Sequence, residues 1–399
     1  MSRVSRSVLI SGASIAGPAV ADMLMRQGFE VTVVERARDF RSGGQNVDVD
    51  GTGRLVADRM GLTDQIRAAG TGETGTEFVD AAGKTLALFP ASDASSFTTE
   101  LEVPRGALAQ MLYDRTAGQV RYLFGEQIIG VNDHADGVTV RFSNGREEAF
   151  DLVIVAEGLR SHTRKLLFDD AELHHLGLYM AWFPIPRQSI DNADLRIYHA
   201  TGGRIISLRP ASGSMSALLA LRSNPVGYEK LTPVDQVALL RLRFADAGWQ
   251  AERILDALDP DALEFQPVAQ VRARTWSTNR VVLLGDAAYA PSPLSGEGTS
   301  LALTGAYLLA GELGQSDDLT VAFKRYEHQM RPRVKQAQKL PPGAARLALP
   351  NSALGVAALR GLSRLIASPP VRAARNKLHR DKPGTDSTLP SYTERVRAE

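Results

Sequence analysis

Cysteine is absent from this chain of 399 residues. Its absence excludes disulfides, iron–sulfur clusters, thiolate zinc sites and cysteine nucleophiles. Excess charge is also missing, because 46 Lys and Arg residues balance 45 Asp and Glu residues to a net charge of +1. The chain therefore has no electrostatic footprint for nucleic acid, and we expect no nucleic-acid partner. The seven histidines are scattered, and the adjacent pair His174 and His175 would point to opposite faces of a strand, so we expect no metal site.

Long apolar runs are missing too, and no stretch approaches the roughly 20 apolar residues that a membrane-spanning helix needs. The first twenty residues are basic and then apolar, which is also typical of a signal peptide. Gly12 and Ser14 interrupt the apolar stretch, and a strand, a glycine turn and a helix fit the pattern better. We therefore expect an intact chain in the cytoplasm, and we take it to be a monomer.

The first 35 residues have the pattern of a strand–helix–strand unit, which implies a parallel sheet covered by helices. Residues 7–10 and 31–35 read as buried strands, and residues 15–27 read as the helix between them. Small residues fill the turn, in the order Gly12, Ala13, Ser14, Ile15, Ala16 and Gly17. Such a turn lets a diphosphate approach the backbone, where the free N–H groups at the start of a helix bind it.

An acidic residue, Glu35, ends the second strand, 18 residues past Gly17, and Arg36 follows it. A carboxylate at this place accepts hydrogen bonds from a ribose 2′-hydroxyl and repels a 2′-phosphate. The site therefore suits NAD or FAD rather than NADP, and the motif alone does not separate the first two. The plainer alternative is a structural turn followed by a surface glutamate.

The rest of the chain divides by composition. We predict an α/β fold in which a Rossmann-like cofactor domain (residues 1–172) is interrupted by a mostly antiparallel substrate domain (residues 173–270) and completed by residues 271–345. Residues 346–380 are predicted as C-terminal helices and residues 381–399 as a flexible tail. The basic stretch in these helices fits an amphipathic helix packed on the body, or else a surface that meets an anionic membrane.

Residues 281–303, VVLLGDAAYAPSPLSGEGTSLAL, read as a buried strand, a loop rich in Pro and Gly, and a helix. Here the chain resembles the class A flavoprotein monooxygenases, the p-hydroxybenzoate hydroxylase superfamily, and within it the tetracycline-inactivating branch. The resemblance implies a domain of the GR2 type that binds FAD, with Asp286 on the ribitol and Pro293 beside the ring. It also implies that the backbone at the helix start faces the flavin pyrimidine or ribityl chain, through Gly296, Glu297, Gly298 and Thr299.

Three other stretches match the family. The segment EVPRGALAQML puts Arg105 where the family has an arginine on FAD, and DLVIVAEGLRSHTR has Glu157 in place of the usual aspartate. In SGGQNVDVDGTG and the residue before it, the resemblance implies that Arg41 contacts the nicotinamide nucleotide and Asp48 contacts FAD. In the substrate domain it implies roles for Arg204 and Trp182, whose alternatives are an ordinary sheet arginine and a core tryptophan.

The reaction implied by the resemblance is hydroxylation of an aromatic or polyketide-like small molecule. NADPH or NADH would reduce FAD, and O₂ would form a C4a-hydroperoxide that delivers one oxygen atom. No catalytic side chain is identified; Tyr289, Tyr198 and His199 are the side chains considered as a general base. The alternatives are an FAD oxidoreductase without oxygen transfer, whether a dehydrogenase or an enzyme like the halogenases, and a flavin-binding sensor. The segment MAWFPIP has one tryptophan, whereas the halogenase pattern WxWxIP has two.

Overall fold

The computed structural model describes residues 6–40, 44–93, 96–341, 343–372 and 388–392. Its strands are β1 (Ser7–Ser11), β2 (Glu30–Glu35), β3 (Asn46–Asp48), β4 (Gly75–Val79), β5 (Thr85–Pro90), β6 (Glu102–Pro104), β7 (Arg121–Phe124), β8 (Ile128–Asp133), β9 (Val138–Phe142), β10 (Glu147–Phe150), β11 (Leu152–Val155), β12 (Glu172–Ile185), β13 (Leu195–Ala200), β14 (Arg204–Ala211), β15 (Ser214–Arg222), β16 (Glu264–Arg272) and β17 (Val281–Leu283). Its helices are α1 (Ala16–Arg26), α2 (Gly51–Met60), α3 (Thr63–Ala68), α4 (Arg105–Asp114), α5 (His162–Leu167), α6 (Pro233–Phe244), α7 (Ala251–Asp256), α8 (Asp286–Tyr289), α9 (Gly298–Gln315), α10 (Leu319–Ala337), α11 (Ala344–Ala348) and α12 (Ala353–Ala367).

A five-stranded parallel sheet forms the first layer, in the order β17-β11-β1-β2-β7. Its central strand β1 is almost entirely apolar, and Val8, Leu9 and Ile10 are fully buried, as a strand covered on both faces requires. The long helix α9 is buried on nearly every side, because its sequence is apolar all round. The predicted α/β class and the return of residues 281–283 to the first sheet are confirmed.

A seven-stranded sheet forms the second layer, in the order β16-β12-β15-β14-β13-β4-β5. It is antiparallel except where β13 pairs with β4. The helices α6 and α7 cover one face, and the other face meets α11 and the loop that carries Leu294. Two of its strands come from residues 75–90, which precede the range 173–270 expected for this layer, because long-range strand pairing leaves no local mark in a sequence.

Two smaller sheets complete the strand layers. The antiparallel pair β3–β6 lies between the large sheets, and Asn46 on β3 donates a hydrogen bond of 3.3 Å to the carbonyl oxygen of Pro210 on β14. The antiparallel sheet β10-β9-β8 includes a hairpin whose turn contains Asn144 and Gly145. The pair β3–β6 matters for the site, because it joins the cofactor layer to the substrate layer.

The C-terminal part lies over both layers. Helix α12 keeps Val356 buried but leaves Leu354 81% exposed, and Arg360 turns inward to donate to the carbonyl oxygen of His199 at 3.0 Å. Residues 388–392, within the range expected to be a flexible tail, pack on the body, where Tyr392 bonds Glu312 at 2.8 Å. None of the helices in the described ranges has a stretch long and apolar enough to cross a bilayer.

Candidate active site

The turn between β1 and α1 has no room for side chains at its two glycines. Gly12 has φ +112°, and a Cβ there would lie 2.4 Å from the carbonyl oxygen of Ala156. A Cβ on Gly17 would lie 1.8 Å from the carbonyl oxygen of Gly12. Helix α1 begins with no side chain capping its first N–H groups. These groups are therefore free to hold a diphosphate, which the positive end of the helix dipole also favours.

Glu35 ties this turn to the end of β2. Its two carboxylate oxygens accept hydrogen bonds from the N–H groups of Ala13 at 3.0 Å and Ala37 at 2.9 Å. Each carboxylate oxygen has a second lone pair, so a ribose hydroxyl can still donate to Glu35. Arg36, the next residue, is exposed. The structure thus brings residues 12–17 and Glu35 together, as the sequence predicts.

The second segment, after β17, reaches the same place. Gly285 has φ +63°, and a Cβ there would lie 3.0 Å from the Cβ of Ala16 at the start of α1. Asp286 follows at the start of α8, and its Oδ1 lies 3.8 Å from where a Cβ of Gly298 would be. Two segments nearly three hundred residues apart therefore line one cleft.

Asp286 is a carboxyl deep in this cleft. Solvent reaches its side chain, but the surrounding protein desolvates it and raises its pKa, while Arg105 and Arg164 act in the opposite direction. Such a group holds hydroxyls well, since it accepts hydrogen bonds as a carboxylate and donates one when protonated.

Arg164 fixes the backbone beside Asp286. It is 1% exposed and donates to the carbonyl oxygens of Ala287 at 3.0 Å and Leu159 at 2.8 Å. Burial lowers its pKa, and the nearby charges of Glu157 and Asp286 raise it. Glu157, longer than the family's aspartate, accepts from the Ser11 hydroxyl at 2.5 Å. Residues 157–164 therefore connect strand β1 with helix α8 beneath the cleft.

The loop between α8 and α9 is short, and its backbone is strained. Ser292 has φ +85°, a conformation that residues other than glycine rarely adopt, and its buried hydroxyl has no partner among the described residues. Pro293 is exposed at the start of a 3₁₀ turn, and Gly296 has φ +71°. Strain of this kind is concentrated at functional sites. Serine carries no signal for such a backbone, so sequence reasoning missed Ser292.

Helix α9 points its first turn at the cleft. No side chain caps its start, where Glu297, Gly298 and Thr299 follow the loop. Burial raises the pKa of Glu297, and the nearby charge of Asp50 raises it further. Asp48 on β3 reaches the loop, because its Oδ2 is 3.7 Å from where a Cβ of Gly296 would lie.

Arg105, the first residue of α4, joins the two layers. It donates to the Ser14 hydroxyl at 3.0 Å and lies 3.9 Å from the carboxylate of Glu264 on β16. Glu264 pairs with Trp182 on β12, which is 9% exposed and packs on the face that meets Leu294. Arg105 and Trp182 are therefore brought to the two sides of one cleft.

Arg204 lies elsewhere. It points to the opposite face of the second sheet, where it donates to the carbonyl oxygen of Arg243 at 2.7 Å and to Asp246 at 2.5 Å. Its side chain therefore packs against the end of α6, and the structure does not bring it to Trp182. Arg41 lies outside the described residues.

The side chains considered as general bases are not poised for that role. Tyr289 is fully buried on Trp276 and bonds Tyr326 at 3.2 Å, and burial raises its pKa to about 12. The pKa of His199 is lowered to about 4, mainly by burial and also by the nearby charge of Arg360. Tyr198 packs in the cluster under α6 and α7, on the face away from Leu294.

Known proteins are similar to this chain in sequence and in fold. A model of the FAD binding domain family matches residues 5–339. The flavin-dependent monooxygenase eupH of Phoma sp is 38% identical over 395 residues, which cover 90% of this chain and 91% of that protein. Tetracycline destructase Tet(55) is 34% identical with a TM-score of 0.78, over 93% of this chain and 97% of its own. Tetracycline destructase Tet(51) is 30% identical with a TM-score of 0.80, over 98% and 100%.

Both the match to the family model and the identity to eupH extend over most of the chain. The predicted resemblance to the class A flavoprotein monooxygenases is confirmed, and the likeness to the tetracycline destructases agrees with the predicted branch. The glycines that a Cβ would crowd and the uncapped helix starts fit the cofactor of that family. This chain therefore belongs to the FAD-binding domain family of class A flavin-dependent monooxygenases.

Proposed function

We propose that this protein hydroxylates an aromatic or polyketide-like small molecule, with FAD in the cleft, NADPH or NADH as reductant and O₂ as oxygen donor. The observation that carries the proposal is the meeting of residues 12–17 and residues 285–299 in one cleft beside Trp182. The first segment suits a diphosphate and the second suits a redox ring, so one extended dinucleotide can occupy both.

The residues of the cleft divide the cofactor between them. Glu35 would accept from the ribose hydroxyls, the start of α1 would hold the diphosphate, and Asp286 would bond the ribitol. The uncapped start of α9 would face the pyrimidine edge, where a helix N-terminus stabilises negative charge. FAD, when bound, supplies the redox and oxygen-activating chemistry, and the protein supplies binding, orientation and electrostatics.

The substrate would lie against the apolar face of the second sheet. Met180 and Trp182 on β12 and Ile205 on β14 share this face, and Leu294 of the strained loop packs against it. A surface of this kind favours a flat, apolar molecule and excludes water from the reaction. Arg204 points to the other face, so it is not part of the proposed substrate site.

The test uses purified full-length protein with FAD. We expect at least one compound from a panel of phenols, polyketides and quinolones to raise the rate of NADPH or NADH oxidation. The product formed from that compound should contain one ¹⁸O atom when the reaction is run under ¹⁸O₂. Faster NAD(P)H oxidation without label in any product would instead indicate an FAD oxidoreductase without oxygen transfer. Protein that binds no FAD would refute the assignment.

A matched pair of variants tests the cofactor site. Asp286→Asn should weaken FAD binding by about tenfold or more, as expected from loss of a charged hydrogen bond. Asp169→Asn makes the same change at an exposed position and should leave the affinity for FAD unchanged. Equal affinities in the two variants would argue against a role for Asp286. The cytoplasmic location and the monomeric state stay predictions.

A further inference from the structure

Three carboxylates surround one arginine where the two layers meet, and we call this group the Arg209 cluster: Arg209, Glu73, Glu102 and Asp48. Arg209 lies on β14. Because side chains alternate between the two faces of a strand, Arg209 is on the same face as Ile205. Its guanidinium binds Glu73 through Nε at 3.0 Å and through Nη2 at 3.2 Å. The same Nη2 lies 2.8 Å from Oε1 of Glu102.

Glu102 is the poorly satisfied member of the cluster. It is 4% exposed, and its Oε1 takes both the contact with Arg209 and a hydrogen bond of 2.6 Å from the amide of Asn46. Its Oε2 is buried and has no partner among the described residues. A buried carboxylate oxygen that accepts no hydrogen bond is costly, whereas the same oxygen as part of a neutral carboxyl costs far less.

Asp48 shares a sheet face with Glu102. The two residues lie directly opposite each other in the antiparallel pair β3–β6, so their side chains project to the same side. Asp48 accepts a hydrogen bond of 2.8 Å from Thr99, and its other oxygen faces Gly296. If every carboxyl of the cluster were ionised, three negative charges would surround one positive charge in a buried site. A proton on the unpartnered Oε2 of Glu102 removes part of that imbalance.

We propose that Glu102 is a positioning residue that holds a proton within the Arg209 cluster and so limits the negative charge that the cluster presents, with Asp48, to the FAD-binding loop. This inference rests on the proposed function, which puts the flavin at Gly296. The flavin pyrimidine carries carbonyl oxygens, so a second negative charge beside this loop opposes its binding. Protonation of Glu102 therefore favours FAD binding, and its deprotonation disfavours it.

The charges around Glu102 agree with this assignment. The pKa of Glu102 is raised to about 7, mainly by burial; the charges of Glu73 and Asp48 act in the same direction, and Arg209 and the hydrogen bond from Asn46 oppose them. Burial also raises the pKa of Asp48, helped by the charges of Glu73 and Asp50 and opposed by the hydrogen bond from Thr99 and the charge of Arg209.

The experiment compares the wild-type chain with Glu102→Gln, Glu102→Asp and Glu100→Gln. Glu100 is the matched control, because it lies two residues away but is exposed and pairs with Arg54 at 2.7 Å. The dissociation constant of FAD is measured by flavin fluorescence between pH 6 and pH 9. The infrared carbonyl band of protonated carboxyls is recorded on the same proteins with and without FAD.

In the wild type we expect FAD binding to weaken by roughly three- to tenfold between pH 6 and pH 9, since uptake of one proton allows at most about tenfold per pH unit. An infrared band should disappear over the same range. Glu102→Gln should lose both the band and the pH dependence, and Glu100→Gln should keep both. Glu102→Asp should keep the pH dependence with a displaced midpoint. A purely structural role of Glu102 would instead lower affinity by the same factor at every pH.

The inference is overturned if Glu102→Gln keeps the wild-type pH dependence, or if the wild type has no carboxyl band that titrates in this range. Should Glu102→Gln fail to fold, the wild-type band and Glu102→Asp still decide. Should none of the proteins bind FAD at any pH, the proposed function fails. The infrared difference between wild type and Glu102→Gln would then still show whether Glu102 holds a proton.

Discussion

Replacement of Ser292 by glycine should make the protein more stable, although Ser292 lies in the candidate site. Its φ of +85° and ψ of 155° fall in a region that is essentially restricted to glycine, and such strain costs about 1–3 kcal/mol. Its buried hydroxyl, which has no partner among the described residues, adds about 1 kcal/mol, and the extra freedom of an unfolded glycine subtracts about 0.5–1 kcal/mol. We therefore expect a net gain of about 2 kcal/mol in the free energy of unfolding.

Ser292→Ala separates the two contributions, because alanine removes the hydroxyl and keeps the strained Cβ. It should gain only about 1 kcal/mol from loss of the unpaired hydroxyl. Ser295→Gly is the control within the same loop and should lose stability, since it adds chain freedom without relieving strain and removes a hydroxyl that donates to the Ser292 carbonyl oxygen at 3.0 Å and accepts from the Glu297 N–H at 3.2 Å. Urea unfolding of the three variants at unchanged slope gives the comparison. A glycine variant less stable than the alanine variant would refute backbone strain at Ser292.

Three further perturbations follow from the same geometry. Gly12→Ala puts a Cβ 2.4 Å from the carbonyl oxygen that follows β11, so we expect lost FAD absorbance and a lower unfolding midpoint; unchanged binding would contradict the tight turn. The pKa of Glu102 is raised from 4.5 to about 7, so between these pH values the folded chain binds more protons than the unfolded chain. The free energy of unfolding should therefore fall by about 3 kcal/mol as the pH rises from 4.5 to about 7. Glu102→Gln should flatten this fall in unfolding measured at pH 5 and pH 8, whereas Glu100→Gln should not. In Gly311→Ala the added Cβ would lie 2.2 Å from the ring of Tyr392, so we expect a protease to cleave residues 388–392 faster while global stability stays nearly unchanged. Unchanged cleavage would show that these residues are not held against α9.

The cofactor half of the site could be anticipated from the sequence because its parts are local. Each part is recognisable from a few consecutive residues. The parts are a glycine turn after a strand, an acidic residue at the end of the next strand and an aspartate after a third strand. The structure brings Gly12, Glu35 and Asp286 to one sheet edge, since the carboxyl ends of parallel strands lie together. The start of helix α6 has a similarly local cause, because Thr232 caps it and Pro233 is its first residue.

The substrate half could not be anticipated in the same way, because strand register decides it. A shift of one residue along a strand moves a side chain to the other face. Arg204 and Ile205 are neighbours in sequence, yet Arg204 bonds the end of α6 while Ile205 faces the cleft. The Arg209 cluster has the same character, since its members come from separate strands and loops. No local pattern distinguishes Glu102, buried beside Arg209, from the exposed Glu100.

The difference between the cofactor half and the substrate half affects which substitutions can change the substrate preference of such a chain. The cofactor turn tolerates no side chain at Gly12 or Gly17, because each Cβ would meet backbone atoms that cannot move aside. The face around Trp182 consists instead of side chains in a sheet, where exchanges of similar volume usually cost less than about 1.5 kcal/mol. Substitutions there can reshape the pocket while the cofactor layer stays intact. Trp182 is thus the position at which we expect substrate preference to change with the smallest loss of FAD binding.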